Sequence, residues 1–135
     1  MTAQLTENPT DPRFAEVEES MVWTLKFPSG VLATGTTGYN IHGSNHVRVI
    51  FQKGVIDMEP ATAYHGNRMR TQTNGPMALA TNPDIDQFVA QMDYFSDCVT
   101  NNTDPITPGE EGFKDLKIIE AMYQSARTGQ TVSLV

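Results

Sequence analysis

Hydrophobic and polar residues alternate along much of the first half of the chain. Beyond Phe14, Ala15, Val17, Met21, Trp23, Leu25 and Phe27 alternate with Glu16, Glu18, Ser20, Val22, Thr24 and Lys26. This period of two predicts a long strand with one buried face, interrupted at Glu19. Pro28-Ser29-Gly30 predicts a turn, and Val31 to Tyr39, rich in Thr and small residues, predicts the returning strand. The glycines and asparagines between Gly38 and Asn45 predict a loop or bulged crossing. His46 to Gln52 resumes the alternation, Lys53-Gly54 predicts a hairpin turn into Val55 to Glu59, and Pro60 ends that strand because it has no N–H to give a ladder. A further pair, Ala63-Tyr64 against Asn67 to Thr73, is expected around a turn at His65-Gly66, with Asn74-Gly75-Pro76 breaking the order.

The pattern then changes to a helical one. Ile85, Phe88, Met92, Phe95 and Val99 recur at steps of three and four behind an expected N-cap at Asn82 with Pro83 at the first helical position, and that helix ends near Asn101-Asn102. Thr107 with Glu110 three residues on reads as a capping box for a second helix, with Pro108 at its first position. Its apolar stripe is Phe113, Leu116, Ile119, Tyr123 and Ala126, and Gly129 stands where a C-terminal cap belongs. Gln130 to Val135 could add one more strand.

Strands followed by two amphipathic helices predict the α+β class, an open and mostly antiparallel sheet with both C-terminal helices packed on one face. Residues 1–13 read as an extended arm and residues 14–135 as a single α+β domain. The other sheet face needs cover as well. Large side chains such as Trp23 and Phe51 cost about 25 cal/mol for each Å² of apolar surface left in water, so that face is expected to be available for dimerisation or for a further domain.

Composition narrows the possible partners. The chain has 135 residues, 39% of them hydrophobic and 19% charged, with 10 Gly and 8 Pro, as in a folded protein with many turns. A net charge of −7 argues against nucleic-acid and anionic-membrane partners. The single cysteine, Cys98, excludes an intrachain disulfide and a CxxC site, and no basic neighbour in sequence activates it. With no signal-peptide pattern at Met1, the expected location of the chain as it stands is the cytoplasm, a periplasmic one being open to a full-length relative.

Candidate chemistry is sparse. No G-x-G-x-x-G occurs, so no dinucleotide cradle is expected in this chain. His42 and His46 are four apart, but in loop-like sequence and without a third ligand, so no metal site is expected. Glu16 and Glu18 read as a solvated pair, and Glu110 and Glu111 as helix-dipole partners. The polar cluster Tyr39, His42, His46 and Arg48, together with Tyr64, is the place to expect contacts with a hydroxyl-rich ligand, because polar aromatic and basic groups lie near strand ends.

Several segments resemble one family. T-P-G-E-E-G-F-K-D-L-K-I-I-E-A-M-Y-Q-S-A-R-T-G-Q-T-V-S-L (Thr107 to Leu134), D-P-R-F-A-E-V-E-E-S (Asp11 to Ser20), W-T-L-K-F-P-S-G (Trp23 to Gly30), K-G-V-I-D-M-E-P-A (Lys53 to Ala61) and Q-M-D-Y-F-S-D-C (Gln91 to Cys98) are similar, in this order, to the C-terminal domain of the glucose-fructose oxidoreductase, inositol dehydrogenase and MocA group. The similarity is greatest to glucose-fructose oxidoreductase-like members. It implies an NAD(P)-dependent sugar or polyol oxidoreductase whose Rossmann domain and E-K-P and D-x-G-x-H/Y catalytic motifs precede the matched region. No catalytic or cofactor-binding residue therefore carries over, and no cofactor is expected on this chain alone. What the resemblance implies is a substrate-wall and oligomerisation domain, inactive by itself, that pairs its sheet with a second copy in a homodimer or larger oligomer. On this reading Met1 to Thr10 are the end of a strand and the chain begins inside the second domain. The alternative is a free-standing dimerisation or small-ligand-binding module derived from that domain.

Overall fold

The computed structural model describes residues 1–80 and 85–134. Seven strands are found among them: β1 (Thr2–Thr6), β2 (Ser20–Lys26), β3 (Leu32–Gly38), β4 (Val47–Phe51), β5 (Gly54–Met58), β6 (Met69–Gln72) and β7 (Ala78–Ala80). Helices α1 (Gln87–Asn101) and α2 (Gly109–Thr128) follow. The architecture is α+β, with antiparallel strands in two sheets, ordered β1-β2-β3 and β4-β5-β6-β7. The chain divides into two compact units, Met1–Ile41 with Ile106–Val135, and His42–Pro105. No helix among the described residues is long and apolar enough to cross a membrane.

In the first unit the alternation expected of β2 is realised from Ser20 onward. Met21 is buried while Trp23 and Leu25 are half-buried on the same face, and Val22, Thr24 and Lys26 are exposed. The strand is shorter than the pattern from Phe14 suggests. Phe14 instead closes a single 3-10 turn at Pro12–Phe14, whose N-cap Asp11 accepts a hydrogen bond from the Arg13 N–H. Within the segment read as an arm, Thr2–Thr6 pairs along β2, with Ala3 opposite Trp23 and Leu5 opposite Met21. The turn at Phe27–Gly30 forms as its sequence predicts, Gly30 taking a φ of 88°. Gly35 lies opposite Trp23, and a Cβ there would collide with the indole ring.

Helix α2 packs on β1. The core is Ala3, Met21 and Met122, with Met1, Leu5, Trp23, Leu25, Ile118, Tyr123 and Ala126 packed around it. Two expectations for this helix are corrected. Its N-cap is Pro108 with no side-chain cap bond, so the Thr107–Glu110 capping box does not form. Its buried face is Ala121, Met122 and Ser125, while Phe113, Leu116 and Ile119 of the expected stripe are exposed. Small residues let the helix approach the strand closely, and a hydrogen bond fixes that approach. Ser125, 1% exposed, accepts the Ala3 N–H at 3.1 Å and donates from Oγ to the Gln130 carbonyl at 2.7 Å. Gly129 takes the left-handed conformation, φ 64°, and closes the helix as expected. No strand is assigned over residues 130–134. The Met1 amino group and carbonyl nonetheless exchange hydrogen bonds with Val132, at 2.7 and 3.0 Å.

In the second unit β4 and β5 form a tight hairpin, Phe51 opposite Gly54. The strand expected at Ala63-Tyr64 is absent. β6 pairs instead with β5, Val55 opposite Gln72, and with β7, which follows the Asn74-Gly75-Pro76 break. The expected Asn82–Pro83 cap lies outside the described residues. Helix α1 starts at Gln87, where Asp86 accepts from the N–H groups of Phe88 and Val89. It ends at Asn102 in the left-handed conformation.

Replacing Ser125 by Ala leaves the buried Ala3 N–H and the Gln130 carbonyl without their partner. The expected loss is about 1–3 kcal/mol of unfolding free energy, measured by urea denaturation. Unchanged stability would contradict the role assigned to this hydroxyl.

Candidate functional site

The alternation of β4, β5 and β6 gives the second sheet a polar face. Arg48 of β4 lies opposite Asp57 of β5, which lies opposite Arg70 of β6, and Arg70 lies opposite Leu79 of β7. Paired residues project to the same side of a sheet, so these four share one face. Val49, Ile56 and Thr71 form the equivalent row on the other.

Asp57 is the centre of this face. It is 3% exposed, its Oδ2 lies 3.0 Å from His46 Nε2, and its Oδ1 accepts from Arg70 Nη2 at 2.5 Å. Arg70 Nη2 also stands 3.8 Å from Glu59. A carboxylate withdrawn from water in this way needs charged partners. The hydrogen bond from His46 and then that from Arg70 hold the Asp57 carboxyl below the usual carboxylate range. An open cleft of about 550 Å³ adjoins the cluster, lined by Glu59, Pro60, Arg68, Arg70 and Leu79.

Beside it, Asn45 ties two loops together. Its Oδ1 accepts from the Ala61 N–H, the Thr62 N–H and the Thr62 hydroxyl, at 3.1, 2.8 and 3.0 Å. The segment entering β4 is thereby held to the one leaving β5.

The residues singled out from sequence are distributed unevenly. His46 and Arg48 flank Asp57. Tyr64, 68% exposed, sets its ring edge-on to Phe88 at 5.2 Å. His42 is exposed at the start of the second unit. Tyr39 belongs to the first unit, where it is 73% exposed and lies 6.5 Å from the Phe14 ring. Asp57, Glu59, Arg68 and Arg70 escaped the sequence reading. A signal existed in the acidic residue at the centre of the apolar run Val55 to Met58, with arginines at matching positions in the strands on either side.

Elsewhere some carboxylates have structural partners, and Glu18 is one of them rather than half of a solvated pair with Glu16. The Tyr123 hydroxyl donates to Glu18 Oε2 at 2.6 Å, a bond that pushes the phenol's pKa upward. Glu19 accepts from Asn40 Nδ2 at 2.9 Å. Cys98 is buried. Among the described residues no group of three or more His, Cys, Asp or Glu could hold a metal ion.

A family match decides what kind of domain this is. Residues 1–134 match the GFO/IDH/MocA model described as "Oxidoreductase family, C-terminal alpha/beta domain". The chain belongs to this oxidoreductase family. D-xylose 1-dehydrogenase [NADP(+)] of Haloarcula marismortui is 31% identical over 123 residues, which are 90% of this chain and 34% of that protein. D-glucoside 3-dehydrogenase of Escherichia coli is 28% identical over 128 residues, 92% of this chain and 36% of that protein. Among solved structures, aldose-aldose oxidoreductase from Caulobacter crescentus complexed with glycerol superposes with a TM-score of 0.91 at 42% identity, over 98% of this chain and 40% of that one. This GFO/IDH/MocA domain thus spans between a third and two fifths of the length of these relatives.

The described residues do not fit a dinucleotide. A pyrophosphate sits best on a free helix N-terminus, but Asp86 already occupies that of α1, and Glu110 and Glu111 place two carboxylates in the first turn of α2. The positive-φ glycines, Gly30, Gly66 and Gly129, lie in a hairpin, a loop and a helix C-cap.

The Asp57 cluster carries a pH dependence. Its folded pKa is depressed, so its stabilisation is present above the unfolded carboxylate value and is lost as pH falls through the folded one. Stability of the wild type is expected to fall more steeply than that of Asp57→Asn when pH is lowered from about 5, followed by denaturant unfolding at successive pH values. Parallel curves would contradict the linkage.

Proposed function

We propose that this chain is the substrate-wall and oligomerisation domain of an NADP-dependent sugar dehydrogenase, and that it does not catalyse hydride transfer by itself. The observation that carries the reading is the family match along residues 1–134, combined with relatives named as D-xylose and D-glucoside dehydrogenases. NADP is the cofactor of choice because two of the relatives carry it in their names. A Rossmann domain would hold it, and this chain would contribute side chains to the sugar. Tyr39, His42, His46, Arg48 and Tyr64 are the proposed contacts, offering ring faces and polar hydrogen-bonding groups to a hydroxyl-rich ligand.

The oligomerisation role is supported by the outer face of the first sheet. The core side chains share the face bearing Ala3, Met21 and Trp23, so the opposite face presents Thr2, Gln4, Val22, Thr24, Thr34 and Thr36, with Lys26 and Leu32 paired at its end. Thr2 and Thr24 share a hydrogen bond of 2.6 Å across it. Apart from Lys26 at one end this patch is uncharged on a chain of net −7, so two copies can bring its threonines together with little like-charge repulsion.

The test compares NADP+ reduction by D-xylose in two preparations. One is the purified chain; the other is a fusion carrying the Rossmann half of the Haloarcula D-xylose dehydrogenase ahead of Met1. The chain alone is expected to form no NADPH and the fusion to form it. NADPH formation by the chain alone would overturn the claim of inactivity, and a folded fusion that binds NADP+ but turns over no sugar would overturn the substrate-wall role.

A further inference from the structure

We propose that the cleft on the polar face of the second sheet binds a small oxyanion, a carboxylate or phosphate group held by Arg68 and Arg70. This inference stands apart from the dehydrogenase reading, because it rests on the charge and geometry of one sheet face.

Arg70 is oriented from behind. Its Nη2 is committed to the buried Asp57, and Asp57 is itself fixed by His46. Among the described residues nothing bonds its Nε or Nη1, so the N–H groups on these two nitrogens remain for a ligand. Arg68 is exposed, its backbone locked into the sheet by the Glu59 N–H to Arg68 carbonyl bond and the Arg68 N–H to Pro60 carbonyl bond, and its guanidinium has no partner among the described residues. Arg70 is held where it stands and Arg68 is anchored through its backbone, so ordering the Arg68 side chain is the main cost when an anion arrives.

The local charge agrees. Three guanidinium groups, of Arg48, Arg68 and Arg70, face two carboxylates, of Asp57 and Glu59, so this face is positive on a chain whose net charge is −7. Pro60 and Leu79 provide apolar walls, which lower the local dielectric and strengthen the attraction. A volume of about 550 Å³ accommodates a sugar acid as well as inorganic phosphate. Glu59 is the internal competitor, exposed and 3.8 Å from Arg70, close enough to attract the guanidinium and too far to hold it as a hydrogen bond would.

The test is a calorimetric titration of the whole chain at low ionic strength with gluconate, inorganic phosphate and, as a neutral control, D-xylose. Saturable binding of gluconate or phosphate is expected, weakened about tenfold in Arg68→Gln, a change equal to one charge-assisted hydrogen bond. Binding is expected to tighten in Glu59→Gln. Arg68→Gln leaves the Asp57 cluster intact, so loss of binding there cannot be attributed to misfolding of that cluster. Gluconate alone would identify a sugar acid as the ligand and phosphate alone a phosphate group. The proposal is overturned if neither anion binds, if Arg68→Gln binds as tightly as the wild type, or if xylose binds as well as gluconate.

Discussion

Phe88, Met92, Phe95 and Val99 along α1, and Phe113 and Leu116 in the first half of α2, face solvent in the isolated chain, whereas the core of the first unit centres on Ala3, Met21 and Met122. Each large apolar side chain left in water forgoes about 1.5–3 kcal/mol, and a domain's whole stability is about 5–15 kcal/mol. Several such residues together are therefore a constraint on the entire architecture. The proposed second copy and cofactor domain are covers that fit such exposed helix faces in a member of this oxidoreductase family.

The two units meet their polar requirements by different means. In the first, a single buried hydroxyl, Ser125, joins helix to strand where small residues permit a close approach, and Tyr123 reaches Glu18 across more than a hundred residues of sequence. In the second, a buried carboxylate gathers His46 and Arg70 on one face of the sheet while Asn45 fastens the neighbouring loops. The latter arrangement orients donors toward an open cleft, and for that reason the second unit carries the stronger case for ligand contact.

Strands with one buried face were legible from the chain because their alternation is local. Val31 to Tyr39 and His46 to Gln52 match β3 and β4 closely, and Gly129 identified its own cap. What escaped depends on distant partners. Which face of α2 is buried follows from Ala3 and Met21 on the sheet, and β7 exists because β6 offers it an edge. His46 and Arg48 were visible as polar residues near strand ends, but Asp57, which bonds His46 and lies opposite Arg48, passed as one residue of the strand Val55 to Glu59. Only the register of β4, β5 and β6 brings the charges into one row.

The central claim, that the first unit's sheet is covered by its own copy across its threonine-rich face, is tested most directly by the sedimentation mass of the purified chain beside that of Thr24→Glu. The account predicts a mass of at least two chains for the wild type at micromolar concentration and of one chain for the variant, whose carboxylates would meet across the interface. A wild-type monomer at that concentration, or a variant that stays associated, would contradict it.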